Sequence, residues 1–156
     1  MTLHDVKPFV KPINIPNAFV GRVKVFTNCD VTEDEIILFN AALKAMSEYV
    51  SNNSIDLSNY FTLNVFFTED GTISFSEKSC ANCGSQFHLA LYRMEKLRSL
   101  PEKYKKMLFV FIEELAHYFL RISDETIIKY RVADILRYIL PNFTDDEMKK
   151  WGLNGL

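Results

Sequence analysis

Residues 107–120, Met-Leu-Phe-Val-Phe-Ile-Glu-Glu-Leu-Ala-His-Tyr-Phe-Leu, are an almost wholly apolar stretch. Only Glu113, Glu114 and His117 in it carry charge near neutral pH. Apolar positions continue round the whole circumference of a helix built from this stretch, which predicts a helix buried on both sides rather than one lying on a surface. On that helix Glu113 and His117 stand at i and i+4, one turn apart, with Glu114 beside them. An unpaired buried charge costs several kcal/mol, so these groups must be paired, protonated or bound to a cation. A metal site is the sharpest explanation. The ordinary alternative is a solvated network of ion pairs worth about 0.3 kcal/mol each.

A chain of 156 residues is long enough to bury roughly two thirds of its unfolded surface, so residues 1–156 are expected to form a single domain. Eighteen basic and twenty acidic residues leave a formal charge of −2, and no dense basic patch offers electrostatic support for nucleic-acid binding. The N-terminus lacks an apolar signal core, and no stretch reaches the roughly 18 uncharged apolar residues of a membrane span. Cys29, Cys80 and Cys83 are too few and odd in number for a secreted disulfide framework. These features lead us to expect a soluble, cytoplasmic protein that binds neither nucleic acid nor membrane.

Pro8, Pro12 and Pro16 forbid a regular helix in about the first 20 residues and favour an extended arm over the body. Residues 21–27 alternate as a strand. Thr32 three residues before Glu35 has the spacing of a capping box, and Ile36, Phe39, Leu43, Met46 and Val50 recur at helical period after it. Phe61 to Phe67 and Thr72 to Phe75 read as a hairpin closed by Asp70-Gly71, in one sheet with the first strand. Gln86 to Arg93 reads as an edge strand. Pro101 opens the long helix of Glu113 and His117. Glu125 to Leu140 forms the next helix, and Thr144 to Trp151 a short last one capped by Gly152. The fold class is therefore α+β: a small mixed sheet packed against a motif helix and the helix that follows.

Hydrolytic zinc sites commonly use H-E-x-x-H, in which two histidines one turn apart bind the ion and the glutamate acts as general base. Here Glu113-Glu114-Leu115-Ala116-His117 has that form with glutamate at its first position. The order of a sheet edge, the motif helix and a second helix also matches. From about residue 61 to 140 the chain resembles a small zincin metallopeptidase of the minimal gluzincin type. The resemblance implies a zincin-like fold, zinc as cofactor and a peptide or protein as substrate or partner. It further implies Glu114 as general base, position 113 as first ligand and His117 as second.

The family's third ligand is a glutamate shortly before an Ala-Asp or Ala-Asn pair. Ala133-Asp134 is retained, but Tyr130 and Val132 occupy the places where that glutamate is expected. Glu125 and Asp134 are the candidate substitutes. The resemblance thus implies a divergent or catalytically degenerate relative of metallopeptidases. A non-enzymatic interaction or regulatory module is the alternative.

Cys80-Ala-Asn-Cys83 is a C-x-x-C pair, with Gly84 after it, His88 five residues beyond and Cys29 distant in sequence. Thiolates at this spacing can grip one zinc, and Cys29 with His88 would complete a four-ligand structural site. Two unlinked thiols in a loop, or a redox pair, are the alternatives. A redox pair ordinarily opens a helix, whereas the residues after Gly84 lead toward a strand.

Overall fold

The computed structural model describes residues 2–76 and 86–151. The N-terminal arm is woven into the fold by two short strands, β1 (Thr2–His4) and β2 (Lys7–Pro8). β2 pairs antiparallel with β3 (Val23–Thr27) as an outer strand, where a residue without an N–H is tolerated. Between them Pro16 precedes a 3₁₀ turn, Asn17–Phe19, that buries Phe19 completely.

The capping box forms as expected. Thr32 Oγ1 accepts from the Glu35 N–H at 3.3 Å, and Glu35 Oε2 accepts from the Thr32 N–H at 2.9 Å. They start α1 (Glu33–Asn52), whose Ile36, Phe39, Leu43, Met46 and Val50 are all buried. The chain then enters β4 (Leu63–Thr68), parallel to β3, so α1 is the crossover of a β-α-β unit.

The expected hairpin does not form. β4 is flanked by β3 on one side and by β6 (His88–Arg93) on the other, both parallel to it, so it has no free edge. β5 (Ser74–Ser76) pairs with β1 in a separate two-stranded sheet, away from the first long strand. Asp70-Gly71 still makes a turn. Asp70 Oδ1 accepts from the Thr72 N–H at 3.0 Å and from its hydroxyl at 2.6 Å, and Gly71 takes φ +86°, but the turn leads away from β4. The larger sheet has the order β2-β3-β4-β6, with β6 at its edge as expected among the described residues.

A short helix absent from the sequence reading, α2 (Met94–Ser99), precedes α3 (Lys103–Leu120). α4 (Glu125–Leu136) and α5 (Asp145–Lys150) follow. The architecture is α+β. α3 is buried as its composition requires: Met107, Phe109, Phe111, Ile112, Leu115, Ala116 and Phe119 have no exposed surface. Phe39 of α1, Phe67 of β4, Tyr92 of β6 and Phe111 of α3 form an aromatic cluster with centroid separations from 4.8 to 6.2 Å. The Tyr92 hydroxyl donates to the Phe111 carbonyl at 3.0 Å. Sheet and helix are thus fixed to each other two residues before Glu113.

Candidate metal centre

α3 ends at Arg121, which takes a left-handed conformation with φ 53°. Asp124 then caps α4, its Oδ1 accepting from the N–H groups of Thr126 at 2.9 Å and Ile127 at 2.8 Å. A connection this short turns α4 back along α3 and sets the first residue of α4 beside the last turn of α3. Glu125 Oε2 consequently lies 3.8 Å from His117 Nε2. One donor atom from each of Glu113, His117 and Glu125 lies within 4.8 Å of the other two.

His117 is oriented for coordination. Its Nδ1 lies 2.6 Å from the Ile122 carbonyl oxygen. A carbonyl can only accept, so Nδ1 carries the hydrogen, and in the neutral ring Nε2 keeps its lone pair toward Glu125. This is the arrangement that ordinarily fixes the tautomer of a metal-binding histidine. Tetrahedral zinc with bonds of 2.0–2.2 Å holds its ligands about 3.4 Å apart, so the widest separation in the group must close by up to about 1.4 Å. The Glu125 side chain, 74% exposed, is free to make that movement.

The electrostatics also favour a cation. Burial, and then the neighbouring Glu114 charge, push the Glu113 carboxyl up to about 7; Glu125 adds to the rise, while His117 and Lys129 oppose it. Burial raises Glu114 as well, with His117 opposing and Glu125 assisting. Three carboxyl groups and one imidazole crowd a half-buried position, and a divalent ion would relieve their repulsion. The group has the donors and the spacing to hold a metal ion.

The remaining candidates are placed elsewhere. Glu114 shares the turn of α3 with Glu113 but lies outside the converging group. Asp134 is nine residues along α4 from Glu125, about 13 Å of helix, and accepts from Arg137 at 2.6 Å with Arg131 at 3.5 Å. Its charge is committed there. Val132 is fully buried in the core and Tyr130 is exposed, so neither position replaces Glu125 as a neighbour of His117.

The four-ligand structural site is not assembled around Cys29 and His88. His88 begins β6, level with Leu63 and Val23, whereas Cys29 lies beyond the far end of β3. At least about 13 Å of strand separates them, too far for one ion. Cys80 and Cys83 lie outside the described residues. Two contributors had no signature in the sequence, the Ile122 carbonyl and the Tyr92 hydroxyl. Compared with protein-family models, curated proteins and solved structures, the chain matches none.

Proposed function

We propose that this protein binds zinc through Glu113, His117 and Glu125 and is a divergent, zincin-like relative of metallopeptidases. The observation that carries this reading is the convergence of the three donors around a histidine whose tautomer is set by the Ile122 carbonyl. Three protein ligands leave a position open, as hydrolytic zinc sites require. The bound ion supplies Lewis acidity toward water and a substrate carbonyl.

Glu114 is the general base in this reading. Its carboxyl is raised from the ordinary carboxylate range, chiefly by burial, which makes the carboxylate a better proton acceptor. Glutamate at position 113 in place of the first histidine gives the ion two anionic ligands instead of one, which donates more negative charge and weakens its Lewis acidity. Turnover on unstructured peptides is therefore expected to be slow or absent, as in a degenerate relative.

Elemental analysis of protein purified without added metal or chelator tests the reading. One equivalent of zinc, lost in His117→Ala, is the expected result. A protein that takes up no zinc from an excess, with the fold intact by circular dichroism, would remove it.

A further inference from the structure

A cleft of about 420 Å³ adjoins the candidate metal centre and shares His117 with it. Tyr60, Phe61, His88, Tyr118 and Arg121 form most of the remaining wall. Its size suits one or two amino-acid residues. Among the described residues no carboxylate lines it, whereas the neighbouring group holds two glutamates beside the shared His117. The cleft is therefore the cationic half of a site whose other half is acidic.

The walls are preformed. The Tyr60 hydroxyl donates to the Phe119 carbonyl at 2.7 Å and the Tyr118 hydroxyl to the Phe61 carbonyl at 2.6 Å, tying the segment before β4 to the end of α3 in both directions. Phe61 stacks on the His88 ring at 5.7 Å and 13°, and the Tyr118 ring lies 5.5 Å from the same imidazole. His88 Nε2 is buried without a hydrogen-bond partner among the described residues, a polar atom that a bound group could satisfy.

Arg121 is the cation of the cleft. Its guanidinium stacks over the Tyr60 ring at 4.5 Å, and no ion pair engages it among the described residues. The residue sits at φ 53°, the helix-ending conformation that favours glycine. A long charged side chain is held where glycine would be less strained. A guanidinium fixed over an aromatic face presents its fork to a planar carboxylate.

We propose that this cleft binds the C-terminal residue of a peptide, its α-carboxylate on Arg121 and an aromatic side chain against the wall of Phe61, His88 and Tyr118. That a bound peptide is also the substrate rests on the metallopeptidase reading above. In that case the bond offered to the centre is the one nearest the C-terminus, and the activity is that of a carboxypeptidase.

Isothermal titration calorimetry with N-acetylphenylalanine tests the proposal, using protein dialysed against chelator and protein loaded with zinc. Saturable binding in both forms is expected, at least about tenfold tighter than N-acetylphenylalaninamide or N-acetylalanine, a ratio typical of one charge-assisted contact. Arg121→Gln should abolish the difference between acid and amide. Arg121→Gly should do the same with an unchanged or higher melting temperature, which separates lost binding from lost folding. Equal binding of acid and amide, or discrimination that survives in Arg121→Gln, would overturn the proposal. So would tighter binding of free phenylalanine than of its N-acetyl form, which would identify an amino-acid site. No binding by a protein that still takes up zinc removes the cleft assignment and leaves the metal centre. Selective binding by a protein that takes up none does the opposite.

Discussion

His117 donates its Nδ1 hydrogen to the carbonyl oxygen of Ile122, five residues further along the chain and 2.6 Å away. The bond reaches past the end of α3 into the turn before α4. It ties the tautomer of one candidate ligand to the turn that delivers another, because Glu125 follows three residues after Ile122. Ring orientation and ligand convergence therefore depend on one short connection.

The first consequence concerns metal uptake. We expect Glu125→Gln to weaken zinc binding by at least about tenfold and His117→Ala to weaken it further, since the histidine is the better-oriented donor. Competition with a chromophoric chelator measures both. Equal affinity in the unmodified protein and in both variants would show that zinc binds elsewhere.

Glu113 illustrates a conflict between stability and ligation. Its folded-state pKa, about 7, lies above the ordinary carboxyl value, so the group favours folding below that ordinary value and the advantage is lost as pH rises through about 7. At pH 8 the metal-free protein carries this half-buried charge at a cost on the order of 1–2 kcal/mol, after discounting for solvent screening. Glu113→Gln should therefore raise the melting temperature of metal-free protein at pH 8 by about 2–6 °C and do little at pH 4. With excess zinc the order should reverse. A lower melting temperature for the metal-free variant at pH 8 would contradict the assignment.

The Glu35 and Arg98 pair titrates in the opposite direction. Burial alone would raise the Glu35 carboxyl, but hydrogen bonds from Arg98 and from the Thr32 N–H outweigh it and hold the pKa below the ordinary value. Stability from this group is therefore present above the ordinary carboxyl pKa and is lost as pH falls through the lowered one. Glu35→Gln leaves an oxygen for the Thr32 N–H but removes the charge and the second acceptor of the bidentate contact at 2.8 and 3.1 Å. We expect a loss of about 2–3 kcal/mol at pH 7, shrinking in acid, in urea unfolding at both pH values. A loss that is the same at pH 3 would assign the effect to packing.

A glutamate placed at position 132, where zincin metallopeptidases carry a ligand, should not create one here. Val132 has no exposed surface, so Val132→Glu places a carboxyl in the core. A loss of at least about 3 kcal/mol is expected, a fall in melting temperature on the order of 10 °C, with no gain in zinc affinity. Tighter zinc binding by Val132→Glu, alone or with Glu113→His, would show that the helix pair can rearrange to the ligand geometry of zincin metallopeptidases.

Catalysis supplies the last test. We expect no general proteolysis of an unstructured substrate such as casein by the zinc-loaded protein. Robust cleavage that disappears in Glu114→Gln would establish an active peptidase in place of a degenerate one.

Features that act over one or two turns were legible in the residues alone. The Thr32 and Glu35 cap, the apolar period of α1 and the burial of α3 depend on neighbours three and four positions apart, and each stands as its spacing requires. The pairing of Glu113 with His117 follows from the same helical geometry. Asp70-Gly71 shows where such reasoning stops: the local turn exists, but parallel partners on both sides of β4 exclude the hairpin it signals. Strand neighbours are chosen by competition for edges across the whole sheet. The third member of the metal group was likewise one of two candidates until the fold separated them. The short turn after Arg121 lays the start of α4 against the end of α3, which brings Glu125 to His117 and leaves Asp134 with Arg131 and Arg137. Packing between helices made that choice, because donors from different segments meet only where the backbone path between them closes.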